Sequence, residues 1–236
     1  MPGTFPVCAI NGVGPGNGAA FARRFAAAGY RVALIARTSG FSEGLASEIG
    51  DQAQVYTCDL ADPDAITATY ARIRAELGPP EVMLHNAGAG IWGDFESVDP
   101  ADFEQSWRVN TLGLLTAARA VAPDMRNAGR GSIVVTGATA SRRGGAKTAA
   151  FASAKGAQRN LTESLAKQLW PQGIHVSLIV VDGVVDSPQA RERLADKPDD
   201  FFLDPGDIAE TAWWLSSQPR SAWSFEVEAR PFGERW

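Results

Sequence analysis

Tyrosine is scarce in this chain: Tyr30, Tyr56 and Tyr70 are the only three, and none follows position 70. A site assembled from the later two thirds of the sequence therefore has no phenol to use as a proton donor. Cysteine and histidine are limited to two each, Cys8 and Cys58, His85 and His175. Both cysteines sit in apolar runs that read as strands, so buried free thiols in a reducing compartment are expected rather than a disulfide. Neither histidine has further ligand types at metal-binding spacing, so no metal site is expected. No basic run or stripe accompanies the net charge of −5 and pI of about 5.1, which argues against a nucleic-acid partner. No stretch is apolar enough to cross a bilayer, and the first residues lack a basic segment leading into an apolar core. A soluble, cytoplasmic protein is expected.

What is present is a regular alternation. Of the 236 residues, 45% are hydrophobic and 21% charged, which suits one domain with a full-sized core over residues 1–236. Short β-rich runs fall at 7–12, 30–37, 53–60, 81–88, 131–138, 173–183 and 221–232. Helical periodicity marks 18–29, 62–77, 102–122, 150–170 and 204–218. Asp62 is the expected cap of the second of these helices, with Pro63 at its first position. Strands apolar on both faces and separated by helices predict an α/β fold with a doubly wound parallel sheet of about seven strands.

The first strand breaks into NGVGPGNG, residues 11–18, and a helix follows at once. In that setting Gly12, Gly14, Gly16, Asn17 and Gly18 suit a tight turn over which a pyrophosphate rests at the helix N-terminus. An NAD site places a carboxylate at the end of the second strand; here the strand ends Ala36, Arg37, Thr38, Ser39. A guanidinium beside a hydroxyl matches a 2′-phosphate, so NADP(H) is expected ahead of NAD(H).

With these residues placed, the whole chain resembles the short-chain dehydrogenase/reductase family, whose fold is Rossmann-like. The family's TGxxxGxG matches at Gly12, Gly16 and Gly18, with Asn11 in place of threonine. Its adenine-contacting aspartate corresponds to Asp59, followed by Leu60, and its NNAG to His85, Asn86, Ala87 and Gly88. Asn110 matches the family's mid-helix asparagine. In its YxxxK motif Lys155 is retained and Phe151 replaces the tyrosine; Ala138 stands at the catalytic serine position, 13 residues earlier. The PGxxxT after the sixth strand becomes Asp182, Gly183, Val184, Val185, Asp186, Ser187; the resemblance implies that Gly183, Val185 and Ser187 bind cofactor, with Ser187 taking the place of the threonine that contacts the carboxamide. The closing segment 219–236 is similar to that of a divergent bacterial branch. The resemblance also implies a homodimer or homotetramer across 102–122, 150–170 and the C-terminal helix and strand, where Trp213, Trp214, Trp223 and Phe225 would fit buried contacts.

In the family the tyrosine moves a proton and the serine steadies the carbonyl, while the lysine also holds the nicotinamide ribose. Asn110 and Lys155 persist here without those hydroxyls. Three readings follow. An oxidoreductase using another acid would draw on Asp182 first, since partial burial raises a carboxyl toward a proton donor; His85, Ser141, Lys147 and Ser153 are further candidates. Hydride transfer to a preformed iminium would need no enzymic acid. A catalytically inactive NADP(H)-binding protein, a sensor or partner subunit, would keep the same nucleotide residues. Trp92, Phe95, Arg142, Arg143 and Lys147 flank the expected opening, which suits a small-molecule substrate; the three cations fit an anionic substrate and a solvated loop equally well.

Overall fold

The computed structural model describes residues 5–233; residues 234–236 of the closing segment lie outside it. Seven parallel strands form one sheet in the order β3-β2-β1-β4-β5-β6-β9. The first half runs β1 (Val7–Asn11), α1 (Asn17–Ala27), β2 (Arg31–Ala36), α2 (Gly40–Ile49), β3 (Ala53–Thr57), α3 (Pro63–Glu76) and β4 (Pro80–His85). The second runs α4 (Pro100–Trp107), α5 (Gly113–Ala128), β5 (Gly131–Ala138), α6 (Ala149–Leu169) and β6 (Ile174–Val181). A two-stranded ribbon, β7 (Val184–Val185) with β8 (Phe202–Leu203), brackets α7 (Pro188–Arg193); α8 (Pro205–Ser216) and β9 (Glu226–Ala229) complete the chain.

Alternating side chains of one strand serve two cores. Val7 and Ala9 of β1 face the layer of α3, α5 and α6, whereas Cys8 and Ile10 face α1 and α8. Ile133 and Val135 of β5 repeat the first choice, and Val134 the second. Burial on both faces is why these strands read as continuous apolar runs. Strand order reverses between β1 and β4, so the loops after those strands diverge and leave a crevice at the carboxyl edge of the sheet.

The expected sheet and helices are all present, with three differences. Helix α2 was not anticipated, because Gly40 and Gly44 weaken its periodicity and only Ser42 and Leu45 are buried. The expected 102–122 helix is longer and is interrupted by a π turn at Arg108–Leu112. The polar segment before residue 204 carries α7 and the ribbon. Cys8 and Cys58 are free and buried, although Cys58 lies just past β3. No cluster of three or more His, Cys, Asp or Glu able to hold a metal occurs among the described residues. No helix among them is long and apolar enough to cross a membrane. Trp213 packs edge-on against Phe25, and Trp223 stacks on His175 with ring centres 4.8 Å apart. Phe225 packs against the core, so Trp214 is the exposed member of the aromatic group expected at an interface.

Candidate active site

At the opening turn, Gly12 has φ +90°, and a Cβ there would lie 2.6 Å from the Ala87 backbone. The turn is pinned as the Gly12 and Val13 amides donate to the Ile35 carbonyl at 2.9 and 3.0 Å. Gly18 is equally constrained, since a Cβ would meet the Gly12 carbonyl oxygen at 2.6 Å. Gly14 faces open space, and Gly16 takes φ +139° as the residue before α1. Gly16 offers α1 no capping side chain and its first turn holds no acid, so the amides there suit an external anion. Asn17 is buried with its Oδ1 lacking a partner among the described residues. Asn86 donates to the Gly12 carbonyl at 2.8 Å, tying β4 to the turn.

Two cavities meet at Asn86, Gly88 and Gly90. The first, of about 560 Å³, is walled by the Gly12–Gly14 turn, Arg37, Asp59, Leu60 and Ala87. Asp59 Oδ1 accepts from the Ala61 amide at 2.9 Å, which orients the carboxylate on the rim. Arg37 is exposed and makes no ion pair among the described residues; Thr38 is exposed beside it, off the wall.

The second cavity, of about 840 Å³, holds the positions that match the family's serine and YxxxK motif. Ala138, Phe151 and Lys155 share its wall with Trp92, whose ring lies 5.3 Å from that of Phe151. The strap holding Trp92 is a backbone bridge: the Gly93 amide donates to the Lys147 carbonyl and the Ala149 amide to that of Gly93. Lys155 is 4% exposed, and its Nζ donates to the Thr136 carbonyl at 2.9 Å and to Gln158 Oε1 at 3.0 Å. Burial without a carboxylate partner brings its pKa down to about 7.

Asn110 is set by the π turn. Its Nδ2 donates to the Ser106 carbonyl at 2.9 Å, the acceptor that its own backbone amide would take in an α-helix. The ladder re-forms one residue later, with the Gly113 amide on the Arg108 carbonyl. Asn110 Oδ1 is left buried with no partner among the described residues, on the side of Gly88 where a Cβ would sit 3.4 Å from it. Gly183, Val185 and Ser187 line the same cavity. A Cβ on Gly183 would strike Pro231 at 2.6 Å, so the C-terminal segment, not a ligand, demands that glycine. Ser187 Oγ caps α7 by accepting from the Ala190 amide at 3.2 Å.

Asp182 is the main correction. Its carboxylate, 3% exposed, lies off the cavity wall, accepts from the Thr139 hydroxyl and the Arg230 guanidinium, and has Arg143 at 3.5 Å. Acceptor roles occupy both oxygens, leaving an ion pair that anchors the segment after β9 rather than a proton donor. Replacing Asp182 with alanine removes one carboxylate partner of Arg230, which is 12% exposed and keeps Glu228 at 3.0 Å. We expect a loss of about 3 kcal/mol in urea unfolding, at the low end for a broken buried pair because of that second partner.

The other acid candidates also fall away from the wall. His85 is fully buried, its Nδ1 facing Asn11 Nδ2 at 3.3 Å. Burial first, then the Lys155 charge, lowers its pKa to about 3, so it stays neutral. Ser141 Oγ turns to the Ala138 amide at 3.0 Å, and Ser153 Oγ bonds the Ala150 carbonyl at 3.1 Å. Neither they nor Lys147 line the cavity, and no tyrosine lines either cavity. Arg142 is spent on Glu226 and Glu228. Sequence reasoning missed Arg193, which lies on the wall at the end of α7, and Gln158, whose only trace was a polar residue one turn beyond Lys155.

The chain is similar to known proteins in sequence and fold. The sequence profile of the short chain dehydrogenase family matches residues 6–198. An inactive 2-(S)-hydroxypropyl-CoM dehydrogenase of Xanthobacter autotrophicus is 33% identical over 209 residues, covering 83% of this chain and 91% of that protein. Bovine 3-oxoacyl-[acyl-carrier-protein] reductase is 28% identical over 218 residues, covering 90% and 92%. Among solved structures, a short-chain dehydrogenase from Rhodopseudomonas palustris superimposes with a TM-score of 0.83 at 33% identity, covering 96% of this chain and 99% of that one. A metagenomic short-chain oxidoreductase in complex with NADP also gives 0.83, at 30% identity with 97% and 98% coverage.

Proposed function

The chain belongs to the short-chain dehydrogenase family, and from that premise we propose that it is an NADP(H)-dependent oxidoreductase acting on a small-molecule carbonyl, with a proton path that bypasses the usual hydroxyls. The observation that carries the reading is the pair of joined cavities, with Asn17 Oδ1 and Asn110 Oδ1 buried beside them and without a partner among the described residues. Buried polar atoms left without partners are uncommon and point to a group that completes them. The α1 N-terminus and Gly14 would receive the pyrophosphate, Asp59 and Leu60 the adenine, and Ser187 beside Val185 the nicotinamide carboxamide, with Lys155 lying next to the nicotinamide ribose. Bound there, the nicotinamide would supply or accept a hydride. Phe151 and Trp92 would present an apolar wall to the reacting face.

The charged side chains on the substrate wall are Arg143, Lys155 and Arg193, with no carboxylate among the described lining residues. Such a wall disfavours a cationic iminium and favours a carbonyl compound bearing an anionic group. The reading includes one nucleotide-binding domain spanning the chain. It also includes a cytoplasmic location and a homodimer or homotetramer across α4, α5, α6, α8 and β9, which sedimentation would test.

Arg37 supports NADP(H), being exposed on the rim where NAD sites hold an acid. Replacing it with alanine removes a hydrogen-bonded charge pair worth about 1.5–3 kcal/mol, so NADPH affinity should fall roughly 10–100-fold in a fluorescence titration. NADH affinity should hold. Equal losses, or tighter NADH binding by the unaltered protein, would count against the phosphate role.

A catalytically inactive NADP(H)-binding protein, a sensor or a partner subunit, is the second reading. Phe151 and Ala138 on the wall favour it, as does the naming of the 33% identical relative as inactive. NADPH binding without oxidation across a panel of carbonyls would select it.

A further inference from the structure

We propose that Lys155 is itself the acid of this site, passing a proton from its ammonium directly to the oxygen of the carbonyl substrate. The inference rests on the oxidoreductase reading above and names the step that reading leaves open.

Elimination gives the first argument. Among the described residues lining the 840 Å³ cavity, the ionisable side chains are Arg143, Lys155 and Arg193. An arginine does not release its proton in a protein, so Lys155 is the group able to do so. Of the wall's hydroxyls, that of Thr139 donates to Asp182 and that of Thr148 to the Gly145 carbonyl at 3.0 Å, and an alcohol such as that of Thr136 or Ser187 is a far weaker acid than an ammonium. Ser187 is held as the cap of α7.

The geometry at Nζ gives the second. Two of the three ammonium hydrogens point at neutral acceptors, the Thr136 carbonyl and Gln158 Oε1. Both acceptors still hold the amine after deprotonation, so the hydrogen that leaves is the third, on the cavity side. No carboxylate pairs with Lys155 among the described residues to retain its charge. In a tyrosine-bearing site the phenol would stand between ammonium and substrate; here Phe151 contributes an apolar ring whose centre is 5.9 Å from Nζ. Inward from the cavity, Gln158 Nε2 donates to the Asn110 carbonyl at 2.7 Å. An amide and a backbone carbonyl supply no proton, so the lysine is reloaded by water entering through the cavity. Burial, which brings the group to about pH 7, keeps it ready to donate near neutrality.

The step balances. Two electrons reach the carbonyl carbon as hydride from the reduced nicotinamide, which leaves oxidised. The carbonyl π pair moves onto oxygen, an O–H bond forms as an Nζ–H bond breaks, and the alcohol departs with Lys155 as the free amine.

The test combines two measurements. In the cofactor-free protein, ζ-15N NMR should show a lysine titrating near pH 7 that is absent from the Lys155→Arg variant. With NADPH and phenylglyoxylate or 9,10-phenanthrenequinone, turnover should be level below pH 7 and fall tenfold per unit above it, following the NMR midpoint. Lys155→Arg keeps the charge and cannot release a proton. At saturating NADPH it should reduce the carbonyls at least 100-fold more slowly, a loss typical of a missing general acid (~10²–10⁴-fold). Carbonyl turnover surviving in Lys155→Arg, or a Lys155 resonance still protonated past pH 9, would overturn the proposal and leave the oxidoreductase reading standing. Should Lys155→Arg fail to fold, the coincidence of the NMR midpoint with the wild-type rate profile decides the matter, and a mismatch rejects the lysine. No NADPH oxidation by the wild type or by Phe151→Tyr would remove the oxidoreductase reading, and the acid role with it.

Discussion

Replacing Phe151 with tyrosine and Ala138 with serine together is expected to raise carbonyl reduction about 100-fold, the lower end of what a general acid supplies. Both positions line the cavity, and Phe151 lies one helical turn before Lys155, so a phenol there would sit on the same helix face as the ammonium. Tyrosine keeps the ring that packs on Trp92, and serine adds one oxygen to a strand end that Ser141 already holds through the Ala138 amide. The gain stays modest if Lys155 already donates a proton, because the phenol then improves a path rather than creating one. Steady-state NADPH oxidation with phenylglyoxylate measures it. An unchanged rate, with NADPH still bound, would mean that the substrate pocket, not the proton, limits the protein.

The second large effect lies in the opening turn. Gly12→Ala should cost about 3 kcal/mol or more of stability and abolish measurable NADPH binding. A left-handed backbone costs a side-chain-bearing residue about 1–3 kcal/mol, and overpacking a filled site a further ~1–3 kcal/mol. Gly12 has φ +90°, and the atoms that a Cβ would strike at 2.6 Å are the Ala87 nitrogen and Cα, which cannot swing aside. Moving Ala87 would displace Asn86 and Gly88, the residues at which the two cavities meet. Urea unfolding and fluorescence titration should change together. A stable variant that binds NADPH normally would show that β4 yields more readily than its close packing implies. Gly14→Ala is the control, since nothing lies within 4 Å of the added carbon and the unfolding midpoint should hold.

Much of this was legible along the chain because it depends on neighbours in sequence. Apolar runs marked the strands, Asp62 and Pro63 marked the start of α3, and the glycines between β1 and α1 marked a turn needing close approach. The motif spacing placed Ala138, Phe151 and Lys155 on what proves to be one wall. Helix α2 escaped because glycine at positions 40 and 44 and few buried residues leave little period to see. The π turn escaped because it arises from a side chain competing with its own backbone for the Ser106 carbonyl.

Asp182 shows where local reasoning stops. Read beside Gly183 it resembled a proton donor, but its ionic partner, Arg230, lies far along the chain and is delivered by β9. Arg142 and Arg143 look alike in sequence; the first is neutralised by Glu226 and Glu228 of the same strand, while the second reaches the cavity. The sequence by itself determined the order of elements, the nucleotide turn and the loss of two hydroxyls, since each depends on residue type at short spacing. Only the tertiary structure decided which charges face the substrate and that the remaining lysine is poised near neutrality, because ion pairing and desolvation depend on distance through space and not along the chain.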